Sequence, residues 1–177
     1  MSSLRTLFLG AAVAILAAGG GPARAATILV LGDSLTAGHG LNGRDSFPSR
    51  LQAALRDVVP GVRVINGGVS GDTTAGGLAR LDWLMRDKPD LVIVELGAND
   101  ALRGRDPAAT RRNLDRIIAQ ILARGARVLL AGMLAPPNMG AEYANEFNAL
   151  YPDLARRHNI EFYPFFLEGV AGIPSLN

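Results

Sequence analysis

Thr27-Ile28-Leu29-Val30-Leu31-Gly32-Asp33-Ser34-Leu35 decides how this chain is read. An unbroken aliphatic run marks a strand buried on both faces, whereas a half-exposed strand alternates apolar with polar residues. Strands of that kind belong to parallel sheets with helices on either side. Residues 62–65, 91–95 and 127–131 repeat the pattern, and 160–163 is a weaker fifth run. Between them, residues 47–58, 74–86, 107–124 and 141–158 have the length of crossover helices. Pro60-Gly61 and Lys88-Pro89 stop two of these, and Asp106-Pro107 reads as an N-cap followed by a first-turn proline. The expected fold is one α/β domain, a parallel sheet between helical layers.

In such sheets ligands bind beyond the carboxyl ends of the strands, where strand order reverses. The segments there are Gly32-Asp33-Ser34-Leu35-Thr36-Ala37-Gly38, Asn66-Gly67-Gly68-Val69-Ser70-Gly71-Asp72-Thr73 and Gly97-Ala98-Asn99-Asp100. With strand order 2-1-3-4-5 and neighbouring strands about 4.8 Å apart, the three converge. A serine hydroxyl, a glycine-flanked N–H and a carboxamide sharing one crevice fit acyl transfer. Ser34 is the candidate nucleophile. Its own N–H, that of Gly71 and the Asn99 side chain are candidate donors to the oxyanion. Gly71, without a Cβ, lets a substrate oxygen approach the main chain.

These segments, in this order, resemble the first three sequence blocks of the SGNH or GDSL hydrolases, and the resemblance runs through residues 27–177. Ser70-Gly71-Asp72-Thr73 with Gly77-Leu78-Ala79-Arg80-Leu81, then Val94-Glu95-Leu96-Gly97, is most similar to the periplasmic acyl-thioesterase/lysophospholipase and arylesterase branch. The resemblance implies a flavodoxin-like three-layer α/β/α sandwich and hydrolysis of esters or thioesters through an acyl-serine. It implies no metal and no cofactor, with Ser34 as nucleophile and Gly71 and Asn99 in the oxyanion hole. The family's fourth block, an Asp and a His three residues apart, has no counterpart before Asn177. The expectation is a domain over residues 26–177 that stops short of its general base and its C-terminal helix, with little or no activity by itself.

Two histidines are present as substitutes. His158 precedes the fifth strand and falls at the opposite edge of the sheet, where an exposed helix-end residue beside the helix dipole is expected. His39 is on the correct side, with Asp45 as a loose candidate to orient it. Asp33 is expected to brace the nucleophile turn, and Asp72 and Asp100 to cap the helices that follow them. Ser70 competes with Ser34 on position alone.

Two rival functions remain. Gly38-His39-Gly40-Leu41-Asn42-Gly43 formally matches a dinucleotide-binding glycine pattern, but it starts well beyond the strand and no helix opens on it. A non-catalytic acyl- or glycan-binding domain on the same scaffold is the other. Residues 101–104 and 133–139 are expected to wall an acyl pocket, with Met133 and Leu134 either lining it or belonging to the core.

Composition narrows the remaining classes. The 177 residues are 49% hydrophobic and 19% charged and contain no cysteine. That excludes a disordered chain, a disulfide framework, a Cys-ligated zinc or iron–sulfur site and a lipobox anchor. Arg5, the apolar stretch 7–18 and Ala23-Arg24-Ala25 read as a secretory signal peptide over residues 1–25. A spanning helix needs roughly 20 apolar residues, and Gly19-Gly20-Gly21-Pro22 breaks this one early. The reading is therefore a periplasmic or secreted monomer without a stable membrane anchor. Its partner is a small acyl or aryl ester, thioester or lysophospholipid. No basic block points to nucleic acid.

Overall fold

The computed structural model describes residues 25–173, so the signal peptide expected over residues 1–25 lies, apart from Ala25, outside the described residues. Five strands form one parallel sheet: β1 (Thr27–Gly32), β2 (Arg63–Gly68), β3 (Leu91–Glu95), β4 (Arg127–Ala131) and β5 (Glu161–Tyr163). Their order is β2-β1-β3-β4-β5, as expected. Six helices connect them: α1 (Ser34–Ala37), α2 (Phe47–Leu55), α3 (Thr74–Leu84), α4 (Ala98–Leu102), α5 (Pro107–Ala123) and α6 (Ala141–His158).

The period of two along each strand divides the core into halves. Leu29, Leu31, Val92, Val94 and Leu130 point to one face, against Leu81 of α3, Leu114, Ile117, Ile118 and Ile121 of α5, and Phe147, Leu150, Tyr151 and Leu154 of α6. Ile28, Val30, Leu91, Ile93 and Leu129 point to the other, where Leu51 and Leu55 of α2 pack. Both long helices present apolar residues at i, i+3, i+4 and i+7, the stripe that lets a helix lie on a sheet. Full burial of each such side chain contributes about 1.5–3 kcal/mol. The Asp106 carboxylate accepts from Ala108 N with Pro107 in the first turn, as expected from the sequence.

At the end of β2 the structure departs from the sequence reading. Asn66, Gly67 and Gly68 belong to β2, because ladder pairing with β1 continues until Gly68 stands opposite Gly32. Gly32 also pairs with Glu95 of β3. Gly68, Gly32 and Glu95 are therefore level, and the three chemically suggestive segments leave the sheet side by side.

Candidate active site

Ser34 opens α1 immediately beyond β1, and Asp33 caps that helix by accepting from Leu35 N at 2.9 Å. The half-buried Ser34 hydroxyl has no hydrogen-bonding partner among the described residues. Gly32, just upstream, is glycine for want of space. A Cβ there would stand 2.0 Å from Thr36 Oγ1 and 2.5 Å from Glu95 Oε2, so side chains, not main chain, fill the space beneath the turn.

Beyond β2 the chain turns at Val69–Asp72, closed by Asp72 N donating to Val69 O at 3.0 Å. Gly71 is the third residue of this turn with φ +78°, a conformation that favours glycine. The turn's own hydrogen bond uses the N–H of Asp72, not that of Gly71. The Gly71 carbonyl accepts from Arg103 Nη2 at 2.8 Å, which fastens the turn to the end of α4. Asn99 lies in the first turn of α4, and its Nδ2 donates to Asp33 Oδ2 at 2.9 Å. One of its two amide hydrogens is thereby used, and the other remains for a ligand. The structure thus brings Ser34, Gly71 and Asn99 to one edge of the sheet, with Asp33 joining the nucleophile turn to the carboxamide.

The remaining sequence candidates fall elsewhere. His158 is half-buried rather than exposed, and its Nε2 lies 2.7 Å from Asp115 Oδ1 on α5, a contact that ties the end of α6 to the neighbouring helix. Asp45 pairs with Arg50 at 2.6 Å, so it does not orient His39, which is exposed. Ser70 is exposed in the turn before Gly71. Asp72 and Asp100 do not cap their own following helices. Thr73 caps α3 by accepting from Gly76 N, while Asp72 pairs with Arg80 at 2.6 Å. Asp100, already inside α4, reaches back to accept from Thr74 N at 2.8 Å and Thr74 Oγ1 at 2.6 Å, bracing the start of α3. Met133 belongs to the core, whereas Leu134, on the segment after β4, and Leu102, at the end of α4, are exposed.

Glu95 is the group that sequence reading passed over. It ends an apolar run, is fully buried, and its Oε2 accepts from Thr36 Oγ1 at 2.7 Å and more distantly from Asp33 N at 3.4 Å. Its Oε1 has no hydrogen-bonding partner among the described residues. Burial first, and then the negative charge of Asp33, push its carboxyl up to about 8. Burial also raises Asp33, partly offset by the hydrogen bonds from Leu35 and Asn99.

Glu95 therefore holds a proton in the folded protein that the unfolded chain, with an ordinary value of 4.5, releases. The resulting stability is complete below that ordinary value and is lost as pH rises toward about 8. The loss approaches about 1.4 kcal/mol per pH unit for one proton. Glu95→Gln removes this term. Melting temperatures across pH 4 to 9 are expected to show the variant gaining on the native protein as pH rises through roughly 5 to 8. A difference that stays constant with pH means that Glu95 titrates in the folded protein as it does in the unfolded chain.

The model of the GDSL-like Lipase/Acylhydrolase family matches residues 30–174. Esterase TesA of Pseudomonas aeruginosa is 44% identical over 155 residues, covering 87% of this chain and 77% of that protein. An arylesterase of Vibrio mimicus is 47% identical over 148 residues, covering 83% and 74%. The thioesterase 1/protease 1/lysophospholipase L1 of Escherichia coli K12 is 40% identical over 149 residues, covering 84% and 70%. Among solved structures, the SGNH-hydrolase family esterase AlinE4 superposes with a TM-score of 0.84 at 49% identity, covering 87% of this chain and 83% of that one. Sheet order, three motifs leaving level strand ends and these likenesses agree: the chain belongs to the GDSL-like lipase/acylhydrolase family of carboxylic ester hydrolases.

Proposed function

We propose that Ser34 attacks the carbonyl carbon of an ester or thioester, forming an acyl-serine that water then hydrolyses. The observation that carries this reading is the 2.9 Å bond from Asn99 Nδ2 to Asp33 Oδ2, because it holds a carboxamide against the turn that presents Ser34. In the addition step the serine oxygen bonds to the carbonyl carbon, the hydroxyl proton passes to a general base, and the carbonyl oxygen becomes an oxyanion. The N–H groups of Ser34 and Gly71 and the free amide hydrogen of Asn99 receive that charge. Collapse expels the alcohol or thiol, and water repeats the sequence on the acyl-enzyme.

The base is the part these residues leave open. The sequence contains no Asp-x-x-His, and neither His39 nor His158 has a carboxylate that would orient it toward Ser34. Residues 1–177 alone are accordingly expected to turn over esters slowly or not at all, since an unassisted serine is a weak nucleophile. The substrate reading is short to medium acyl esters, aryl esters, acyl thioesters and lysophospholipids. Support comes from the exposed, apolar Leu102, on the helix that carries Asn99, and Leu134, on the segment after β4, and from the activities in the relatives' names. No helix among the described residues is long and apolar enough to cross a membrane, and the leader-like residues 1–25 favour export to the periplasm or beyond.

A p-nitrophenyl ester series of increasing acyl length, run beside a fluorophosphonate probe on the natural protein, tests the reading. Expected are hydrolysis that peaks at short to medium chains and a single phosphonylated residue, Ser34. Absence of both in a folded protein would favour an acyl- or glycan-binding domain.

A further inference from the structure

Arg80 lies on α3, and the structure turns its guanidinium inward. From α3 its Nη2 donates to Gly32 O at 2.9 Å and its Nη1 to Gly67 O at 2.6 Å, while Nε pairs with Asp72 Oδ2 at 2.6 Å. All three nitrogens are engaged at once. The side chains of Arg80 and Asp72 are only 21% and 11% exposed, so solvent screens this pair far less than a surface ion pair. Gly32 O belongs to the last residue of β1, immediately before Asp33 and Ser34. Gly67 O belongs to the end of β2, and Asp72 directly follows Gly71. One planar group therefore spans the strand that presents the nucleophile and the turn that presents an oxyanion donor.

A second feature shows that the space for this arrangement is built in. A Cβ on Gly76 would stand 1.8 Å from Asp72 Oδ1, so the first turn of α3 is left bare where the carboxylate lies. Oδ1 also accepts from Thr73 N at 3.0 Å. The carboxylate is fixed at both oxygens, and it belongs to the residue directly after Gly71.

We propose that Arg80 is a positioning residue of the hydrolytic site, holding the Gly71 N–H and the Ser34 turn at the separation that the tetrahedral intermediate requires. This rests on the acyl-serine reading given above. The argument is geometric. An oxyanion donor is useful only within hydrogen-bond reach of where the charge appears, and the Gly71 turn is otherwise exposed at Val69 and Ser70. Arginine suits the task because its rigid fork serves three acceptors in fixed directions, which a lysine ammonium on a flexible stem does not.

The test compares Arg80→Gln, Arg80→Lys and Gly76→Ala with the natural protein, measuring kcat and KM on a p-nitrophenyl ester together with the melting temperature. A misplacement near 1 Å at reacting groups costs about 10²-fold in rate. Arg80→Gln is expected to lose about that much in kcat with KM little changed, since ground-state binding does not use the oxyanion donors. Added methylguanidinium is expected to restore part of kcat in Arg80→Gln, and Arg80→Lys is expected to remain as poor as the glutamine variant. Gly76→Ala displaces the Asp72 carboxylate while leaving Arg80 in place, and a kcat loss of the same kind is expected from it. It also serves if Arg80→Gln does not fold. Folded variants with unchanged kcat, or with kcat and KM altered only in step with lost folded protein, overturn the proposal. If the natural protein itself cleaves no ester and takes up no fluorophosphonate, the acyl-serine reading fails instead.

Discussion

In the natural protein, Ser34→Ala leaves a folded chain that no longer hydrolyses esters. The nucleophile is the atom that forms the covalent intermediate, and removing it in a serine hydrolase typically lowers kcat by roughly 10⁶-fold. What survives is whatever acceleration the oxyanion donors and binding supply by themselves. Folding is expected to be indifferent to the change. The hydroxyl has no hydrogen-bonding partner among the described residues, the side chain is half-buried, and alanine is the better helix former at the first position of α1. A stability change within about 0.5 kcal/mol is expected. Loss of fluorophosphonate labelling together with an unchanged melting temperature identifies Ser34 as the reacting residue. Activity within tenfold of the natural protein means another nucleophile, and exposed Ser70 is then the residue to substitute.

Why Ser34 and its neighbours can be found from sequence, while the groups that hold them cannot, follows from the range of the interactions. Apolar runs report burial directly, so β1, β3 and β4 were legible within a residue at each end. Motifs at strand ends needed only the topological rule to bring them together. Asp33 was legible as a brace because its bond to Leu35 N spans two residues. Its second bond, to Asn99, spans 66 residues, and no local pattern signals it. The same holds for Glu95 against Thr36, 59 residues away, and for Arg80 against Gly32, 48 residues away. Glu95 carried one signal that could have been used. A carboxylate closing an otherwise apolar strand has to find a partner or a proton, and that requirement alone marks it as unusual. Asp100 misled because helix capping is normally local. Here the carboxylate sits inside α4 and satisfies the first turn of α3, an orphan N–H that the sequence places on a different element.

These braces also explain why three short loops serve as one rigid unit. Asp33 holds Asn99, Arg103 holds the Gly71 carbonyl, Asp100 holds the start of α3, and Arg80 joins β1, β2 and the Gly71 turn. Every loop that contributes a proposed catalytic group is fastened to at least one of the others. Donors fixed in advance need no reorganisation when charge develops, and that is the physical basis of their effect on rate.

Asn99→Ala is the sharpest test of that fixed arrangement, because the residue has two separable jobs. Its free amide hydrogen is the proposed third oxyanion donor, and losing such a donor lowers kcat by roughly 10²- to 10³-fold, with KM little affected. Its other amide hydrogen satisfies Asp33 Oδ2 on a side chain only 1% exposed. Leaving that oxygen without a donor costs about 1–3 kcal/mol. The two losses respond differently to pH. Burial already raises the Asp33 carboxyl, and the hydrogen bond from Asn99 is one of the contacts that restrain it. Without Asn99 the carboxyl rises further, so the folded form binds a proton more readily than the unfolded chain does. The destabilisation should then be greatest at neutral pH and shrink as pH falls through the carboxylate range. The loss in kcat should persist wherever the variant is folded. Melting curves and kcat measured over the same pH series separate the two. A kcat that recovers in parallel with stability at acid pH would make Asn99 a brace for Asp33 alone, and a change confined to KM would make it a substrate-binding residue.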